Sequence, residues 1–190
     1  MVVPITLSRR RLLAASACCG AGTLAGCLAT ESGDDGGLPM QVTVEMMSQP
    51  QPQFEPRLVH IAVGGTVEWK LHSGDHDATA YHPDTHGPLR IPETAESWAS
   101  PELTAVGSTY ERTFEAEGVY DYVDTTAVCI AHEVVGSVGR IIVGWPDYDP
   151  ETEPALREPQ EELPNVARSR IADLNEQTRE ILTEEPPGDQ

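Results

Sequence analysis

Cys129-Ile130-Ala131-His132 sets a thiol and an imidazole three residues apart, just ahead of an apolar run over residues 138–144. At that spacing a thiolate and an imidazole can converge on one ion from a tight loop, although the pair alone is a weak signal. Two imidazoles and a thiolate, completed by a weak and long axial donor, form the blue-copper arrangement. The second imidazole can come from His76, which opens an earlier stretch of strand pattern. The competing reading of Cys129 is a buried structural thiol, since free cysteine is among the most buried residue types. Cys18, Cys19 and Cys27 all fall in the N-terminal leader or at its end, which leaves Cys129 without a partner for an internal disulfide.

The other histidines are weaker candidates. His60 lies in a strand pattern, His72 in a polar loop, and His82 and His86 flank Pro83-Asp84-Thr85. They are expected at the surface or beside the site, with His72 close enough to His76 in sequence to compete for a metal. Trp69 and Trp98 are expected to pack rather than relay electrons. The chain has no Gly-rich phosphate loop, no Gly-x-Ser-x-Gly elbow and no His-Glu-x-x-His pair.

Positioning such ligands requires a sheet framework, and the sequence has its period of two. Met40, Val42, Val44 and Met46 alternate with polar residues, as do Val67, Trp69 and Leu71; Val59, Ile61 and Val63 form a further strand pattern. Gly64-Gly65 between the last two predicts a hairpin. A strand is expected from His76 towards Tyr81, then a long Pro-rich loop over residues 83–108. Strands over residues 110–114, 119–122 and 138–144 complete an all-β sandwich. Beyond Trp145 the chain turns acidic and Pro-rich, and Ala167, Ile171, Leu174, Thr178 and Ile181 mark one amphipathic helix over about residues 164–182.

Several segments together resemble the plastocyanin-like cupredoxins, especially the halocyanin-type proteins of haloarchaea. They are Gly65-Thr66-Val67-Glu68-Trp69, the run from His76-Asp77-Ala78 to His82-Pro83-Asp84, Arg90-Ile91-Pro92-Glu93, Gly118-Val119-Tyr120-Asp121-Tyr122, and Cys129-x-x-His132-Glu133 followed by Gly136-x-Val138-Gly139-Arg140. The resemblance covers roughly residues 40–144. It implies a Greek-key β-sandwich holding one copper ion, with the ligand roles carried over to His76, Cys129 and His132. The family's axial methionine falls at Ser137, a harder and poorer partner for copper. The family also brings its Tyr-x-Tyr strand almost directly into the cysteine, whereas residues 123–128 intervene here. An odd insertion reverses the alternation of strand faces, so a bulge or loop is expected around Asp124-Thr125-Thr126. Ala131 stands where the family often has proline.

Composition bounds the function. The chain has 190 residues, 31 acids against 12 basic residues and a formal charge of -19. Such a surface repels nucleic acid, and with Lys70 as the sole lysine the balance reads as adaptation to high salt. Ser8-Arg9-Arg10-Arg11-Leu12-Leu13 precedes a weakly apolar run of small residues, the pattern of a twin-arginine signal. Leu24-Ala25-Gly26-Cys27 resembles a lipobox, making Cys27 the candidate for lipidation. The expected organisation is a signal over residues 1–26, a flexible linker over 27–39, a cupredoxin domain over 40–145 and an acidic tail over 146–190. The expected protein is a monomeric one-electron carrier rather than an enzyme, exported and lipid-anchored on the extracellular face, exchanging electrons with membrane redox proteins. The alternatives are a copper storage or delivery module and a metal-free interaction domain.

Overall fold

The computed structural model describes residues 37–127 and 131–183. Strand β1 (Gln41–Met47) buries Val44 and Met46 and leaves Gln41 exposed, as its alternation predicts. The others are β2 (Gln53–Glu55), β3 (Leu58–Ile61), β4 (Gly65–Leu71), β5 (Thr79–Ala80), β6 (Thr109–Phe114), β7 (Gly118–Val123) and β8 (Val138–Val143). They form two four-stranded sheets, ordered β2-β1-β4-β6 and β3-β8-β7-β5. From β2 to β7 consecutive strands alternate between the sheets, so the fold is an all-β sandwich with a C-terminal helix.

One pairing differs from expectation. β3 and β4 do not form a hairpin: β3 runs parallel to β8, while β4 pairs with β1 and β6. Gly64, at φ +80°, and Gly65 instead carry the chain from one sheet to the other. A Cβ on Gly65 would lie 2.7 Å from the Ala62 carbonyl oxygen, so the crossing is too tight for a side chain. The expected strand from His76 is also shorter, with His76 joined to Leu103 by an isolated bridge and only β5 continuing as a strand.

The interior is built around Trp69 and Tyr122, both fully buried, with ring centroids 5.3 Å apart and nearly perpendicular planes. Phe54 packs on Tyr122 at 4.7 Å. Gly139 faces Tyr122 across the β7–β8 ladder, and a Cβ there would sit 2.2 Å from the phenol ring. The glycine thus makes room for the ring that fixes the end of β7.

Both faces of β7 and β8 are buried. Tyr120 and Tyr122 face the sandwich interior, whereas Val119, Asp121 and Val123 face the segment after residue 146. That segment contributes a short 3-10 turn (Pro154–Leu156) and helix α1 (Asn165–Thr183). Ala167, Ile171 and Leu174 of α1 pack on Val123, Val138 and Tyr81, so the amphipathic face covers the sheet. The acidic tail is therefore docked against the sandwich over the described residues.

A buried ion network fastens it there. Asp121 accepts from Arg90 Nε at 2.9 Å and from Arg140 Nε and a terminal nitrogen at 2.6 and 2.9 Å, and all three residues are fully buried. The remaining guanidinium donors go to the tail: Arg140 to Thr178, Asn175 and the Ala155 carbonyl, and Arg90 to Gln160 and the carbonyls of Ala155 and Arg157. Buried charges tolerate this only when their donors are satisfied. Replacing Asp121→Asn leaves two guanidiniums without a counter-charge, and the expected loss is about 3–5 kcal/mol. Urea unfolding of the variant beside the parent measures it, and an unchanged midpoint would disprove the role.

Candidate metal centre

Three buried side chains meet at the end of β7. Side chains alternate along a strand, so Asp124, two residues beyond Tyr122, falls on the inward face just past the last ladder pair. Its backbone N–H donates to the Ser137 carbonyl at 3.0 Å. Its Oδ1 accepts from the backbone N–H groups of Thr126 (3.1 Å) and Asp77 (3.3 Å). Its Oδ2 lies 2.5 Å from His76 Nδ1 and 2.7 Å from His132 Nδ1, with the Ser137 hydroxyl 3.5 Å away.

Each imidazole is positioned from its own element. His76 exchanges backbone hydrogen bonds with Leu103, and its Nε2 lies 3.0 Å from the Ser48 hydroxyl. His132 opens a 3-10 turn (His132–Val135) that Gly136 ends in the left-handed conformation at φ +83°. His132 donates its N–H to the Thr126 carbonyl, and its own carbonyl accepts from Ser137 N–H, closing the loop on itself. The two rings lie 4.8 Å apart. One ligand atom each from His76, Asp124 and His132 falls within 4.8 Å of the others, the only such group of three among the described residues. His76 and Asp124 are fully buried, whereas His132 keeps 6% of its surface exposed.

Asp77 braces the loop from the other side, accepting from the Thr125 N–H and hydroxyl and from the Thr79 hydroxyl. Burial pushes the Asp77 carboxyl above its ordinary value, outweighing those hydrogen bonds. At Asp124 burial acts in the same direction, but the hydrogen bonds and charges of His76 and His132 together overcome it and hold the carboxyl below its ordinary value.

The fold brings together His76, His132 and Ser137 of the expected site. Cys129 lies outside the described residues, as does Cys27. Asp124 is the member that sequence reading overlooked. The signal for it was strand phase: two residues beyond Tyr122, Asp124 falls on the same inward face. The chain leaves the ladder at Asp124, where a loop was expected.

The other histidines stand apart. His86 pairs with Glu133 at 3.1 Å, and Tyr81 donates to the same carboxylate at 2.9 Å. His72 is exposed, 3.8 Å from Glu45. His82 accepts from the backbone N–H of Asp84. His60 lies 2.6 Å from the Gly144 carbonyl oxygen, with its ring edge-on to Trp145.

A two-sheet sandwich with histidines gathered at one end of its strands defines a cupredoxin in fold, and the comparisons agree. The chain superposes on pseudoazurin from Methylobacterium extorquens AM1 with a TM-score of 0.53 at 21% identity, over 73% of this chain and 98% of that one. Pseudoazurin from Hyphomicrobium denitrificans matches at 0.53 and 18% identity, over 72% and 97%. In sequence the chain is similar to halocyanin of Natronomonas pharaonis, 33% identical over 90 residues. That match takes in 47% of this chain and spans about half the length of the halocyanin. No protein-family model matches. The protein is thus a cupredoxin by fold, halocyanin-like over about half its sequence.

His60 offers a pH test free of the centre. Burial lowers its pKa from the ordinary 6.5, against the opposing hydrogen bond to Gly144. Above that value the ring is neutral folded and unfolded; below it the unfolded chain takes the proton first, so this contribution to stability is lost as pH falls through the lowered folded value. Urea unfolding from about pH 7.5 to about pH 5.5 is expected to show a steeper loss in the parent than in His60→Gln. Parallel curves would remove His60 from the acid sensitivity.

Proposed function

We propose that the protein binds one copper ion between His76 and His132 and carries single electrons on the outer face of the membrane. The observation that carries this reading is the convergence of two buried imidazole Nδ1 atoms from separate elements on one point at the end of a cupredoxin sandwich. Imidazole suits copper, and the donor set present fits it. A bound copper ion supplies a couple between Cu(I) and Cu(II). The chain's part is to hold the imidazoles: Leu103 and Ser48 fix His76, and the 3-10 turn fixes His132. A rigid cage of that kind limits the rearrangement that accompanies a change of charge.

His132 is the imidazole with an edge at the surface, which favours it as the port for electrons. The resemblance offers Cys129 as the thiolate donor with Ser137 in the axial place, and Asp124 stands as a second claimant to the third position. The twin-arginine leader and the lipobox at Cys27 support export and anchoring, with membrane redox proteins as electron donor and acceptor. No described helix is long and apolar enough to cross a membrane; in this reading the attachment is the lipid at Cys27.

Two experiments test these points. Full-length protein loaded with Cu(II) in high salt is expected to retain one copper per chain and to give a reversible one-electron wave, with copper lost in His76→Ala and His132→Ala. Retention without a reversible wave would favour storage or delivery, and no retention would leave an interaction domain. Cys27→Ala is expected to shift the exported protein from the membrane fraction to the medium; continued sedimentation with membranes would remove the lipid anchor.

A further inference from the structure

The third equatorial position at the His76–His132 centre has two claimants of opposite chemistry, and what surrounds Asp124 distinguishes them. A carboxylate has two oxygens to place. Asp124 divides its two: Oδ1 is tied by the N–H groups of Thr126 and Asp77, while Oδ2 is turned towards both imidazoles and the Ser137 hydroxyl. One oxygen anchored by backbone and the other aimed between two imidazole nitrogens is the arrangement of a preorganised monodentate ligand. The carboxylate is wholly buried, and strand phase from Tyr122 fixes the side on which it emerges.

The geometry points to a His2Asp centre, in which His76 Nδ1, His132 Nδ1 and Asp124 Oδ2 hold the ion and Cys129 is not a ligand. This inference rests on the copper-binding reading and specifies its third donor. The neighbouring position repeats the substitution, since Ser137 supplies a hydroxyl near Oδ2. Both donors beside the imidazoles are therefore hard oxygens. Such a set favours Cu(II) over Cu(I) and accepts other borderline divalent ions, with copper the tightest in the Irving–Williams order. With no sulfur bound, the intense thiolate-to-copper absorption is missing. The reduction potential falls below that of the same protein with a thiolate in place.

Full-length protein, Cys129→Ser, Asp124→Asn and Asp124→Cys are titrated with Cu(II), and copper content, visible absorption and electron paramagnetic resonance are recorded. The parent and Cys129→Ser are expected to bind one copper with the same weak visible spectrum and the same resonance parameters. Asp124→Asn is expected to lose at least about tenfold in affinity. Circular dichroism of the apoprotein shows whether that variant folds. Asp124→Cys, which keeps the side chain small, is expected to gain an intense visible band, a readout that loss of fold cannot produce. An intense band in the parent that disappears in Cys129→Ser would overturn the assignment while leaving the copper reading intact. Failure of the parent to retain copper would overturn both and leave Asp124 as a hydrogen-bond acceptor for two imidazoles. Unchanged copper affinity in a folded Asp124→Asn, or no new band in a copper-loaded Asp124→Cys, would also overturn it.

Discussion

The carboxylate of Asp121 is the constraint on which the rest of the structure depends. It lies on the face of β7 turned away from the sandwich interior, where an antiparallel sheet would ordinarily meet water. Two fully buried guanidiniums share it, so the cluster carries excess positive charge that one acid cannot balance. What makes this tolerable is the number of oxygens supplied by the segment after residue 146, the carbonyls of Ala155 and Arg157 and the side chains of Gln160, Asn175 and Thr178. Removing one partner of such a network costs more than the pair contributes, because the other charge is left unpaired in a medium of low dielectric. The helix is thus bound to the sheet by polar contacts that specify one docking position, and by an apolar stripe that supplies the buried area.

That constraint reaches the metal centre through a single strand. Asp121 and Asp124 are three residues apart at the end of β7, one turned outward to the arginines and the other inward to the histidines. β8 makes the same link, with Arg140 in the ion network and Ser137 just ahead of the strand, donating its hydroxyl to Asp124. A strand buried on both faces has little freedom to twist or slip register. The position of Asp124 therefore inherits its precision from packing on the far side of the sheet, where the tail holds β7 and β8 together.

Much of this was legible in the sequence. Period-two patterns located β1, β3 and β4, because each has one face in the core and residue type there is dictated by burial, whereas β8 showed as an apolar run, as a strand buried on both faces does. The 4-3-4-3 spacing from Ala167 located α1 for the same reason. The Gly64-Gly65 crossing was not legible as such: glycine pairs serve hairpins and crossovers alike, and only tertiary pairing separates them. β2 is three residues long and too short to show a period. Arg90, Asp121 and Arg140 look like surface charges in a chain so rich in them, and nothing local announces that a tail as far as 70 residues along the chain will bury them.

At the site, the motif named one residue and the fold brings another to the two imidazoles. The Cys-x-x-His motif drew attention to Cys129 through chemistry, since thiolate is the softest donor available, while the folded strand brings Asp124 to the two imidazoles. Motifs name residue types that can bind; the backbone decides which of them arrive. A sandwich of this kind fixes its ligand positions by strand ends, so an insertion in the connecting loop moves whatever follows it and leaves whatever precedes it in place. Asp124 just past the end of β7 and His76, held by its bridge to Leu103, both precede the loop, whereas His132 is brought back by hydrogen bonds to Thr126 and Ser137 across the loop's base. The loop can therefore lengthen without disturbing the two imidazoles, provided that the third donor comes from the strand. Asp124 meets that condition, because its backbone is paired with Ser137 and its Oδ1 with Asp77 and Thr126 before any ion is present.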